Sequence, residues 1–210
     1  MNEVWPWLAL AGLGAFHGLN PGMGWLFAVA LGMQEKKRSA VWRALIPLTL
    51  GHVLAIAAAI ALAIVAGKAL SPSMLRWPVA LLLAGLGARQ LYRHAHPRWA
   101  AMRVGMGGLT VWSFLRASAH GAGLMVLPVF LSMAAVPEGS SCHARGASTQ
   151  AWAGGLATLV HSMGYLAVTA IAAWLVVDRF GLGLLRKAWI NLDVIWAAAL
   201  ILTGCLTVFA

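Results

Sequence analysis

The chain has 210 residues, 61% of them hydrophobic and only five acidic, with a formal net charge of +10. Apolar runs of about 20 residues, the length a helix needs to cross a bilayer, recur along it, where a soluble domain would alternate polar and apolar faces. This excludes a soluble enzyme or binding domain and predicts an all-α integral membrane protein.

The N-terminus, Met-Asn-Glu-Val-Trp-Pro-Trp, lacks the basic region that opens a signal peptide. Six spans follow: Val4–Met33, Ala44–Gly67, Met74–Tyr92, Val104–Ala135, Trp152–Val177 and Ala188–Phe209. Basic residues crowd the loops after spans 1, 3 and 5: Lys36, Lys37, Arg38 and Arg43, then Arg89, Arg93, Arg98 and Arg103, then Arg179, Arg186 and Lys187. The other side receives Lys68, Arg76 and Arg145. Cytoplasmic loops carry the excess of Lys and Arg, so loops 34–43, 89–103 and 178–187 are predicted inside a bacterial inner membrane, with both termini outside. The charge is therefore topology and not a nucleic-acid patch. Trp5, Trp7, Trp42, Trp77, Trp152 and Trp189 lie near span ends, as an aromatic belt requires.

Span 1 and span 4, about 30 residues each, would measure roughly 45 Å as straight helices, against a hydrocarbon core of about 30 Å. Span 1 contains the breaker Asn20-Pro21-Gly22, and span 4 contains Gly121, Gly123 and Pro128. Both are predicted to be broken or kinked. The chain also repeats itself. Ala-Phe-His17-Gly18 matches Ser-Ala-His120-Gly121, and Thr49-Leu50-Gly51-His52 matches Thr158-Leu159-Val160-His161. Three spans per half invert the second half, giving residues 1–103 and 104–210 as inverted three-helix repeats in one membrane domain, with a binding site where they meet near the midplane.

The histidines locate that site. His17, His52, His120 and His161 sit deep in apolar stretches, where an ionisable side chain marks function by default. At 1.5 Å per residue, His17 and His161 lie roughly 20 and 14 Å from the outer ends of their spans, and His52 and His120 roughly 12 and 24 Å from the inner ends of theirs, in one middle band. His17, Asn20, Met23 and His52 from one half and His120 and His161 from the other are the predicted ion-binding residues. His17, His52, His120 and His161 are the metal ligands among them. Imidazole suits copper, nickel, cobalt or zinc, and thioether favours copper(I). A single membrane histidine is as often an ordinary interhelical hydrogen bond; four at one depth argue for more.

Around them, Tyr165 is predicted to orient His161, its neighbour at i−4. Arg116, one turn before His120, is predicted to pair with Asp193 of span 6, since intramembrane charges usually pair. Cys142 and His143 in the loop Pro137–Gln150, and His94 and His96 in loop 3, read as solvated. Cys142 and Cys205 form no C-x-x-C, so a thiol relay is not expected.

The string Gly14-Ala15-Phe16-His17-Gly18-Leu19-Asn20-Pro21-Gly22 resembles the first-helix signature of the nickel/cobalt efflux (NicO-type) family. The following basic loop and the His52 region are similar too. The likeness covers roughly residues 8–65 well and the second half loosely. It implies a six-helix inner-membrane exporter of divalent cations with ligands in its first helices, and it carries over to His17 and His52. Asn20 stands where that family has an acid, and Met23 where it has a histidine. An amide lacks the negative charge that offsets a divalent ion in low dielectric, which leaves a softer cation, a monovalent one, or no metal at all open.

The reading is a transporter of a small ion, most naturally a transition-metal cation, in which histidine protonation near the ordinary pKa of about 6.5 would couple release to a proton gradient. The alternative is an electron carrier of the membrane b-type cytochrome kind, with His-ligated haem as cofactor. A structural role for the histidines as interhelical glue is the third reading. No nucleophile–base pair is visible, so no enzyme is expected. The bilayer and the small ion are the partners, with room for a homo-oligomer.

Overall fold

The structure, a computed structural model, describes residues 4–67, 71–92, 105–134, 143–180 and 192–209. Every element among them is helical: α1 (Trp5–Leu19), a 3-10 turn (Pro21–Met23), α2 (Trp25–Glu35), α3 (Arg38–Ala66), α4 (Pro72–Tyr92), α5 (Met106–Ala119), α6 (Ala122–Ala134), α7 (His143–Trp174) continued by a π-helical turn (Leu175–Phe180), and α8 (Leu192–Phe209). By length and composition, α3 and Thr149–Arg179 can each cross a membrane. The α5–α6 pair, bent by 60° at its break, is a third crossing if it counts as one span. Ile46, Leu62, Leu81, Met163 and Leu202 project outward from α3, α4, α7 and α8 and are at least 60% exposed. So much apolar surface on four helices suits lipid rather than water.

Both long spans break where the sequence places breakers. Asn20 precedes a proline, which disfavours helical backbone, and it is extended (ψ 117°). Its side-chain oxygen accepts the Gly22 amide at 2.9 Å and caps the 3-10 turn. In span 4 the break falls at His120 and Gly121. Gly121 has φ +71°, a left-handed conformation that only glycine adopts cheaply. Pro128 lies inside α6 without ending it.

The helices also depart from the predicted boundaries. α3 begins at Arg38 rather than Ala44, because its first turns put Arg38, Ser39 and Arg43 outward and bury Ala40 and Val41, a mixed pattern that an apolar count passes over. α7 begins at His143, inside the stretch predicted as a solvated loop. Cys142, His94 and His96 lie outside the described residues, as do residues 188–191 of the predicted sixth span.

α1 packs chiefly on α7, α3 on α5, and α4 on α8, with α3 and α7 also in contact at the centre. The first three pairings cross the predicted boundary at residues 103 and 104, so the halves are interleaved. Glycine permits the closest seam. A methyl on Gly14 would collide with the backbone of His161, and one on Gly18 would lie 2.6 Å from the Tyr165 carbonyl. Small residues let membrane helices approach in this way, and here they bring α1 against the face of α7 that carries His161.

Candidate functional site

Three of the four predicted histidines meet. His17 on α1, His52 on α3 and His161 on α7 are each fully buried. The His17 ring centre lies 5.6 Å from that of His52 and 5.0 Å from that of His161, and His52 and His161 are 5.6 Å apart. Tyr165 stacks on His52 at 3.9 Å. Trp196 of α8 meets His17 in a T-shaped contact at 4.4 Å and stacks on Phe16 at 4.9 Å. The cluster is an aromatic box drawn from four helices and from both halves of the chain.

Its polar capacity is largely unmet. His17 Nδ1 lies 2.8 Å from the Leu13 carbonyl, one turn back. In the tautomer that donates there, Nε2 keeps its lone pair, and Nε2 makes no hydrogen bond. Neither ring nitrogen of His52 has a partner. His161 lies against the backbone of Leu10 without a hydrogen bond of normal geometry. Buried polar groups are ordinarily paired, so three neighbouring imidazoles in this condition are the densest group of unpaired polar atoms among the described residues.

The backbone at the breaks, by contrast, is occupied. Asn20 N–H bonds the His17 carbonyl, and Met23 N–H bonds the Asn20 carbonyl. The Trp25 indole serves the Leu19 carbonyl, Arg116 serves that of Gly22, and the Tyr165 hydroxyl serves that of Met23. At the second break, Trp196 Nε1 donates to the His120 carbonyl at 3.0 Å. These carbonyls are therefore spent on the fold itself.

Further corrections follow from these contacts. His120 is not one of the three rings that meet; it lies beside Trp196, whose ring is 6.1 Å from it and 4.4 Å from His17. Asn20 is buried and spends its oxygen on the turn, and Met23, also buried, contributes its carbonyl to Tyr165. Tyr165 does not orient His161; it stacks on His52 and ties α7 to the first break. Arg116 reaches across to the Gly22 carbonyl at 3.2 Å and lies over the Trp112 ring at 6.0 Å. The side chain of Asp193, its predicted partner, lies outside the described residues.

The sequence analysis missed Trp196. The signal was there: it sits mid-span, away from the belt positions, three residues after the acid of span 6.

The triad can be tested as a metal site. Imidazole nitrogens about 2.0–2.1 Å from one ion place their ring centres roughly 5 to 5.5 Å apart, which is the observed separation. The aim is not yet right: among the described residues no three His, Cys, Asp or Glu stand ready to hold a metal ion. His17 meets the other two rings edge to face, at 65° and 70°, while His52 and His161 lie nearly parallel, at 10°; the rings would have to turn to converge.

No protein-family model, curated protein or solved structure matches the chain.

Proposed function

We propose that the chain is a membrane carrier for a small ion, with a transition-metal cation as the cargo its site suits best. The observation that carries this reading is the buried triad of His17, His52 and His161, spaced as ligands of one ion, with His17 Nε2 and both ring nitrogens of His52 and His161 left without hydrogen bonds. Imidazole is a ligand for copper, nickel, cobalt and zinc alike. The first-helix likeness to nickel/cobalt efflux proteins points the same way.

The proposal includes two inverted three-helix halves, residues 1–103 and 104–210, and six crossings with both termini outside. Supporting it, the α1–α7 pairing of span 1 with span 5 is mirrored by the α5–α3 pairing of span 4 with span 2. Both breaks also use the same device, a histidine whose Nδ1 bonds the carbonyl four residues back: His17 to Leu13 and His120 to Arg116. Alternating access would rock one half against the other about the triad, as in other inverted-repeat carriers.

The haem alternative has less support. A third ring, His17, stands within 5.6 Å of both His52 and His161, in the space a macrocycle between those two would need. The residues as packed do not fit a porphyrin.

Reconstitution into vesicles loaded with a metal-sensitive dye tests the proposal against copper(I), nickel, cobalt and zinc. Uptake or release of at least one is expected, with loss in the His17→Ala/His52→Ala double variant. Unchanged flux in that variant would refute it, and a Soret band in the purified protein would favour the cytochrome reading.

A further inference from the structure

A second site lies at the far end of α2, away from the triad. Where α2 turns into α3, a hollow of about 140 Å³ is lined by Lys36, Lys37 and Arg38 on one side and by Val29, Val41 and Val177 on the other. This end sits at the edge of the bilayer, since α3 is long and apolar enough to cross it and begins at Arg38. Trp42 and Trp174, 47% and 40% exposed, line an adjoining hollow with Arg38. Indoles at that depth mark the headgroup level.

Among the described residues, the charged side chains lining the hollow are all basic, and the two acids beside it are paired: Asp178 with the lining Arg38 at 2.9 Å and Glu35 with Arg43 at 2.8 Å. The two lysines are left as the net positive lining. Lys36 is also held in an unusual backbone state, with φ 54° and ψ 31°, its amide bonding the Gly32 and Met33 carbonyls to close α2. Glycine is the residue that closes a helix this way without steric cost, so Lys36 stands here at some cost in stability.

We propose that this hollow binds the phosphate of an anionic phospholipid, with Lys36 and Lys37 on the headgroup and the valine wall against the first carbons of the acyl chains. The apolar wall distinguishes a lipid from a free anion, which would gain nothing from it. Basic pockets beside transmembrane helices are suited to anionic headgroups. The inference does not depend on the ion reading; it rests on α3 and α7 crossing a bilayer.

The test is native mass spectrometry and thermal unfolding of the purified protein with phosphatidylglycerol, phosphatidylcholine or inorganic phosphate. Retention of phosphatidylglycerol over phosphatidylcholine is expected. Removing one charge near an anionic surface weakens attraction about fivefold, so Lys36→Gln/Lys37→Gln is expected to cut that retention roughly 25-fold. Lys36→Gly is expected to hold or raise the unfolding temperature while weakening lipid binding, which separates the turn from the ligand. Arg76→Gln, near the start of α4, is expected to change nothing. Equal retention of phosphatidylcholine, an undiminished lipid count in the double lysine variant, an equal loss in Arg76→Gln, or the same thermal shift from inorganic phosphate alone would each overturn the proposal.

Discussion

Gly18→Ala perturbs the proposed ion site without touching one of its three histidines. The added methyl would sit 2.6 Å from the Tyr165 carbonyl, 3.0 Å from Val168 Cβ and 3.1 Å from the Thr169 amide. Two of these three contacts are with backbone, which cannot rotate away. An ordinary contact begins near 3.4 Å, so the α1–α7 seam must open by about 0.8 Å at the residue next to His17. Overpacking of this kind costs about 1–3 kcal/mol. In a chain of this length that is roughly 2–12 °C in Tm. The consequence for the site is larger. His17 and His161 face each other across this seam at 5.0 Å, and ligand distances tolerate about 0.2 Å. Metal affinity is therefore expected to fall about 10- to 100-fold, the range for displaced support around a metal ligand. Competitive titration with a chromogenic chelator, alongside thermal unfolding in detergent, reads both effects. Wild-type affinity together with wild-type Tm in Gly18→Ala would refute the geometry on which the site is built.

Three other outcomes follow from single contacts. Trp196→Phe keeps a ring against His17 and Phe16 but strips the donor from the His120 carbonyl, and should cost about 1–3 kcal/mol of stability; thermal unfolding measures this. Tyr165→Phe loses the 2.7 Å bond to the Met23 carbonyl while keeping the stack on His52. Hydrogen exchange should rise at residues 20–24, with only a small change in metal affinity. Arg43→Ala removes an ion pair whose side chains are 59% and 41% exposed, and should shift stability by less than about 1 kcal/mol; a larger loss of Tm would show that this end of α3 matters more than its exposure indicates.

What could be read from the residues, and what could not, divides along physical lines. The triad was legible because a polar ring in hydrocarbon is costly and therefore conspicuous at positions 17, 52 and 161. The breaks were legible because proline and glycine act locally, on their own backbone. The partners of those breaks were not. Spacing along one helix puts Tyr165 beside His161 and Arg116 beside His120, but it does not say what the neighbouring helix presents. That neighbour turned out to be His52 and the Met23 carbonyl for Tyr165, and the Gly22 carbonyl for Arg116. His120 was grouped with the others because depth counts only one coordinate; its ring lies beside Trp196 of α8, at 6.1 Å, while Trp196 lies 4.4 Å from His17. The apolar count likewise shortened α3 and α7, whose first turns are rich in polar residues in the sequence.

The central claim is that imidazoles on α1, α3 and α7 meet on one ion. X-ray absorption spectroscopy of the purified protein loaded with copper(I) or zinc tests it most directly. The account predicts a first shell containing two or three imidazole nitrogens at about 2.0–2.1 Å, lost in the His17→Ala/His52→Ala/His161→Ala variant. A bound metal without imidazole scattering, or equal metal retention by that triple variant, would contradict it.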